Sequence, residues 1–289
     1  MAEVILETPA GAVGYVDEGD GNPVLYVHGS PGGSDQGTLM GRFLVEAGFR
    51  VVAPSRPGYP GTPLSEANGS PEGTAELLRG LMDALGAETF GVVCWSGGGP
   101  AAYQLAAAHP ERVRAIVACA GVSGSYAFAT GVASIERSLM SSGLGGFVLH
   151  AIAEHAPKSL IASTVKEEGH LTGAEARELT EHIWAHEDTR DFVLGLSATL
   201  SGRAAGLKND QHRFPDLDLP LGSVGSPTLL VHGTADSDVG PEHSERALGA
   251  IAGSEILRVD RGTHLCVWTD PAAEGIQGRI ADHLGGHRS

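Results

Sequence analysis

Short, nearly unbroken apolar runs recur along the chain at residues 24–27, 51–53, 90–95, 113–119, 228–231 and 256–259. Runs of this length, bounded by Gly, Pro and Asp, predict strands buried on both faces. Between them, residues 72–85, 100–108, 241–251 and 272–284 space their apolar side chains at helical intervals. Strands alternating with helices predict a mostly parallel sheet covered on both faces. The opening segment, residues 4–17, reads as two antiparallel edge strands.

The rhythm breaks between about residues 122 and 224. No convincing strand occurs there, and helix-compatible segments dominate at residues 133–140, 146–154 and 174–184. A Pro, Gly and Asp-rich linker, residues 214–227, precedes the return of the strands. The reading is therefore an α/β domain, residues 1–122 and 225–289, carrying a helical insertion at 123–224. No internal repeat or low-complexity tract accompanies it.

Composition narrows the function classes. Thirty-five acidic side chains against 19 basic ones give a formal charge of −16. With no Lys/Arg cluster to interrupt it, such a surface repels phosphate backbones and anionic lipid, so nucleic acid and membrane partners are not expected. Three cysteines, Cys94, Cys119 and Cys266, are an odd number, two of them inside strand-like runs, so a disulfide framework is not indicated. The absence of a basic n-region or a long apolar stretch leads to the expectation of a soluble, cytoplasmic protein. The Asn68-Gly-Ser sequon carries no weight without an export signal.

The chemistry begins at Phe90-Gly-Val-Val-Cys-Trp-Ser-Gly-Gly-Gly-Pro-Ala-Ala-Tyr, an apolar run, a serine among small residues, then a helical pattern. A serine at so sharp a strand-to-helix turn has its oxygen pushed clear of the backbone, which requires small neighbours two residues away. Gly98 meets that on one side, and Cys94 stands where glycine is usual on the other. The helix after Ser96 points its first amides at the site, so the Gly97 N–H is placed to donate to an oxyanion. A serine hydroxyl needs a histidine to take its proton and a carboxylate to hold that histidine.

A second loop, Val24-Leu-Tyr-Val-His-Gly-Ser-Pro-Gly-Gly, and a third, Ser55-Arg-Pro-Gly-Tyr-Pro-Gly-Thr, resemble the α/β-hydrolase superfamily. The likeness covers nearly all of residues 1–122 and 225–289. It implies an eight-stranded, mostly parallel sheet with helices on both faces, and makes the insertion the cap that covers the active site in many members. It also implies that the backbone N–H of Ser30 joins that of Gly97 in an oxyanion hole, with His28 a structural residue. In Leu229-Leu-Val-His-Gly-Thr-Ala-Asp-Ser-Asp-Val the pattern HGxxDxxV points to Asp236 as the acid, with Asp238 competing from the same loop. In Asp260-Arg-Gly-Thr-His-Leu the corresponding position is His264. The order Ser96, Asp236, His264 is the one this fold uses.

Ser96 argues against dehalogenases and the many epoxide hydrolases with an aspartate nucleophile, and Trp95 precedes the serine where prolyl aminopeptidases carry Trp after it. An ester of a small or medium carboxylic acid is the expected substrate, hydrolysed through an acyl enzyme without cofactor or metal, with Trp95 as a substrate contact. Carbon–carbon bond hydrolases of aromatic ring-cleavage products, which often carry an HGSGPG-like loop, are the alternative, as are cofactor-free perhydrolases and ligand receptors with little turnover. Oligomeric state is unread. Two further groups point elsewhere: His182 and His186, one turn apart, lack the third ligand a metal needs, and Phe128, Leu139, Met140, Leu144, Phe147, Leu149, Trp184 and Phe192 serve either a pocket or the insertion's own core.

Overall fold

The computed structural model describes residues 3–128 and 152–287. Eight strands form one sheet: β1 (Val4–Thr8), β2 (Gly11–Glu18), β3 (Asn22–Val27), β4 (Phe49–Pro54), β5 (Phe90–Trp95), β6 (Val113–Cys119), β7 (Thr228–Gly233) and β8 (Glu255–Val259). Their spatial order is β1-β2-β4-β3-β5-β6-β7-β8. β1 pairs with β2 and β2 with β4 antiparallel, and the remaining pairs are parallel. Only β1 is an edge strand of the opening pair, since β2 is hydrogen-bonded on both sides.

Apolar side chains leave the central strands on both faces. Val24, Tyr26, Val93, Trp95, Val117 and Val231 enter one core, and Leu25, Val27, Val92, Cys94, Ile116 and Leu230 the other. This two-sided burial explains why the strands read as continuous runs rather than alternating ones. Helices α1 (Ser34–Glu46) and α10 (Ala273–Gly286), with the short α9 (Cys266–Thr269), pack into the first core. Helices α2 (Pro71–Ala84), α3 (Gly99–Ala108) and α8 (Glu242–Ala250) pack into the second.

Helix α1 was not anticipated from the helical pattern. Its Gly37 and Gly41 weaken the propensity signal, yet an added Cβ on either would come within 3.0 Å of Ala53 or Val51 on β4. The glycines let the helix lie close on the sheet.

Between β6 and β7 the described residues form α4 (Pro157–Glu167), α5 (Gly173–Ala185), α6 (Glu187–Ala198) and α7 (Ala204–Arg213), with no strand. The anticipated segment 174–184 lies within α5, which begins with a capping box between Thr172 and Glu175. Residues 133–140, most of 146–154, and Leu139, Met140, Leu144, Phe147 and Leu149 lie outside the described residues. The described aromatics of this unit serve packing: Phe192 stacks on Trp268 at 5.4 Å, and Phe128 on Phe214 at 5.6 Å. Trp184 lies under the cations of Lys158 and Arg190. No helix among the described residues is long and apolar enough to cross a membrane.

Candidate active site

The loops that follow β3, β5, β7 and β8 carry Ser30, Ser96, Asp236 and His264, so all four leave the carboxyl ends of neighbouring parallel strands. That end of an open α/β sheet is where ligands bind. Ser96 opens a 3-10 turn between β5 and α3 with φ of 52°. A non-glycine residue in this left-handed region costs about 1–3 kcal/mol and persists only where the surroundings force it. Here they do: a Cβ on Gly98 would meet the Val27 carbonyl oxygen at 2.3 Å. Cys94 is accommodated at the tight position, fully buried in the second core. Burial pushes its thiol up to about 12, so it acts as a small apolar residue.

His264 Nδ1–H donates to Asp236 Oδ2 at 2.7 Å, both side chains almost wholly buried. The other oxygen, Oδ1, accepts the backbone N–H groups of Asp238 at 2.9 Å and Val239 at 3.0 Å. His232 Nε2, which donates to the Val239 carbonyl at 2.8 Å, lies 3.3 Å from Asp236 Oδ2. Asp236 is thus oriented by four polar contacts. Asp238 takes a different place, its carboxylate 3.7 Å from His264 Nε2. Asp236 thus lies on Nδ1 and Asp238 near the far nitrogen of the same ring. His264 Nε2 is buried and has no hydrogen-bond partner, so the Ser96 hydroxyl is not hydrogen-bonded to it in this structure.

Electrostatics follow from this arrangement. Burial disfavours a charged imidazole, but the charge and hydrogen bond of Asp236, then the charges of Asp238 and Glu168, outweigh it and raise His264 to about 9. Burial likewise opposes ionisation of Asp236, and the charge of His264 with hydrogen bonds from His232 and His264 reverses it, holding the carboxyl well below the usual range. Glu168, Asp238 and His264 are the one group of three metal-capable side chains close together among the described residues. His182 and His186 stay on one helix face with their rings 4.3 Å apart, and His186 Nδ1–H turns back to the His182 carbonyl.

His28 is tied into the fold. The Arg56 N–H donates to Nε2 at 2.8 Å, so Nδ1 carries the proton and donates to the Gly29 carbonyl at 2.8 Å. Burial and then the Arg56 charge lower its pKa well below the usual value. Trp95 is buried against His264, ring centroids 4.9 Å apart, and its indole N–H donates to the His264 carbonyl at 3.2 Å. Cys266 begins α9, where burial pushes its thiol up.

The region between β6 and β7 reaches the loops after β3, β7 and β8 through particular contacts that the sequence did not announce. The His264 N–H donates to the Glu168 carbonyl, His170 N–H to that of Ala235, and Ser237 Oγ–H to that of Glu167. Asp210 on α7 reaches the Ser30 hydroxyl. These are mainly backbone contacts across distant segments, so no residue pattern signals them.

The family model described as the alpha/beta hydrolase fold matches residues 22–271. The chain belongs to that family. An alpha/beta hydrolase fold protein from Nakamurella multipartita is similar over 98% of this chain and 99% of its own, with 45% identity and a TM-score of 0.92. Among curated proteins, the 2-hydroxy-6-oxononadienedioate/2-hydroxy-6-oxononatrienedioate hydrolase of Klebsiella pneumoniae subsp. pneumoniae is 28% identical over 83% of this chain and 80% of its own length. The 2-hydroxymuconate semialdehyde hydrolase of Pseudomonas putida is 38% identical over a shorter stretch, 40% of this chain and 42% of that one. A hydrolase of small molecules is the activity these relationships support.

Proposed function

We propose that this chain is a Ser-His-Asp hydrolase that cleaves a carbon–carbon bond next to a ketone. Ser96 is the nucleophile, His264 the base and acid, and Asp236 the carboxylate that holds His264. The observations that carry the reading are the His264 Nδ1–Asp236 Oδ2 contact of 2.7 Å and a serine held at φ of 52° at the turn after β5. The choice of bond rests on the curated relatives, whose named substrates are 2-hydroxy-6-oxo acids and a semialdehyde rather than esters. They favour the carbon–carbon alternative over the ester that the sequence put first. Residues 123–224 act as the cap over the site.

A 6-oxo compound of this kind contains no ester, so hydrolysis must break the bond between the ketone carbon and its neighbour. Ser96 Oγ adds to the ketone carbon as His264 Nε2 takes its proton. The resulting oxyanion is held by the N–H groups of Ser30 and Gly97. With the substrate as its keto tautomer, its hydroxyl proton moved to the carbon beside the ketone, the carbon–carbon bond then breaks, its electron pair passes into the conjugated 2-oxo group, and His264 returns a proton to the dienolate oxygen so formed. Water, deprotonated by His264, releases the acyl group and restores Ser96. Trp95 fixes the position of His264 and forms the wall of the site behind it.

Incubation with 2-hydroxy-6-oxononadienedioate, following loss of the conjugated dienol absorbance, tests the reading. Turnover that disappears in Ser96→Ala is the expected result. Rapid hydrolysis of simple esters with the dienol untouched would overturn the choice of bond and restore the esterase reading.

A further inference from the structure

A buried polar cluster lies behind the oxyanion loop and is not used by the triad. Asp210, on α7, accepts four hydrogen bonds: Arg56 Nη1 at 3.0 Å on Oδ1, and Arg56 Nη2 at 2.9 Å, Ser30 Oγ at 2.6 Å and Tyr59 Oη at 2.5 Å on Oδ2. The Arg56 Nη2 group also donates to the Gly29 carbonyl and to Ser30 Oγ, each at 2.8 Å, and Nε donates to the His28 carbonyl at 3.1 Å. His28, Gly29 and Ser30 are thereby gripped in succession by one guanidinium. Arg56 and Asp210 are 6% and 3% exposed.

Stability alone does not account for such a pair. Removing two charges from water costs several kcal/mol per ion, and apolar replacements of buried ion pairs are often as stable or more so. What the pair does achieve is positional. Its two halves are 154 residues apart in sequence, one on the core and one on the segment between β6 and β7. The Ser30 hydroxyl sits over Gly97 so closely that a Cβ there would come within 2.0 Å of Ser30 Oγ. The cluster therefore sets the spacing of the two residues whose N–H groups are proposed to hold the oxyanion. Helix α7 is seated for this by a direct backbone contact, Gly206 N–H to the Gly58 carbonyl at 2.8 Å, and by Asn209 Nδ2–H to the Gly69 carbonyl at 2.8 Å.

We propose that Asp210 is a positioning residue of the oxyanion hole, so that docking of α7 completes the site by aligning Ser30 through Arg56. The inference rests on the hydrolase reading above. It makes the inserted unit part of the machinery that stabilises the oxyanion, in addition to covering the site. Asp210 and Ser30 then act as one unit, and their substitutions must be non-additive.

The test is the second-order rate of labelling by a fluorophosphonate, whose tetrahedral adduct places an oxygen in the oxyanion hole, for the full chain and for Asp210→Asn, Ser30→Ala and the double variant. Rates are normalised to folded protein by circular dichroism and thermal melting. Asp210→Asn keeps a carbonyl to accept from Arg56, and Tyr59→Phe removes a single bond to Asp210 should the first variant fold poorly. Losing one oxyanion donor typically costs about 10²- to 10³-fold in rate, so misalignment is expected to slow Asp210→Asn by about 10-fold or more and Tyr59→Phe by less. Ser30→Ala is expected to slow labelling too, and the double variant no further than the worse single one. With a turned-over substrate, kcat falls while KM stays within about threefold. Folded variants that label at the wild-type rate, or losses that multiply in the double variant, overturn the proposal while leaving the hydrolase reading intact. A folded wild-type chain that does not label removes both.

Discussion

His264 presents its two ring nitrogens to two different aspartates: Nδ1 lies 2.7 Å from Asp236 and Nε2 lies 3.7 Å from Asp238. The first contact sets the tautomer a proton-accepting histidine needs. The second places a negative charge beside the nitrogen proposed to exchange protons, with Glu168 adding to it. The pair of contacts stabilises an imidazolium and determines the pH behaviour of the site.

With His264 raised to about 9, only about one molecule in a hundred carries the free base at pH 7. Ser96 labelling by a fluorophosphonate is expected to rise roughly tenfold per pH unit from pH 6 and to level off near pH 9. A plateau already reached at pH 7 would contradict the assignment of that field to His264. Following the His264 ring proton by NMR gives the titration directly.

Replacing the two aspartates separates their roles. Asp236→Asn leaves the ring in the wrong tautomer and is expected to lower kcat by about 10⁴-fold. Asp238→Asn removes only a neighbouring charge, so the rising limb of the pH profile moves to lower pH and the rate at neutral pH increases or holds. Comparable losses in both variants would mean that the carboxylates share one task.

The same fields act on stability. A histidine raised in the folded state stabilises it fully below the unfolded value of about 6.5, and that contribution is lost as pH rises through the folded value of about 9. Asp236, depressed in the folded state, stabilises above the unfolded value of about 3.9, a contribution lost as pH falls towards the folded one. Thermal melts of wild type and His264→Gln from pH 5 to 10 are expected to show the wild type losing its advantage between pH 6.5 and 9. Parallel curves would contradict the coupling.

At the serine turn, Gly98→Ala puts a methyl 2.3 Å from the Val27 carbonyl oxygen, a backbone atom that cannot yield cheaply. Overpacking of this kind costs about 1–3 kcal/mol, and the turn must move, so labelling of Ser96 is expected to fall by more than tenfold. Cys94→Ala, which shrinks an already tolerated side chain, is expected to keep most of its labelling rate. The reverse ranking would show that the turn is held by Cys94 and not by the glycine.

Much of the sheet was readable because strands buried on both faces spell themselves as apolar runs; β5 and β6 begin and end where those runs do. Ser96 stood out as a candidate because its turn demands small residues two positions away, Cys94 and Gly98, whereas Ser30, Asp236 and His264 were named from the resemblance of their loops to the family. Helix α1 was hidden because Gly37 and Gly41, needed for close packing on β3 and β4, erase its helical signature. Asp210 was hidden for another reason: an aspartate in a polar helix looks like a solvated one, and only the fold brings Arg56, Tyr59 and Ser30 to it. The bond proposed here was hidden for a third, since a Ser-His-Asp triad can serve either leaving group.

The most direct test of the central claim is intact-mass spectrometry after incubation with a fluorophosphonate, with peptide mapping and Ser96→Ala in parallel. A single adduct on Ser96, formed faster at pH 9 than at pH 7 and absent from Ser96→Ala, is the predicted result. A folded chain without an adduct, or with one that persists in Ser96→Ala, would contradict the account.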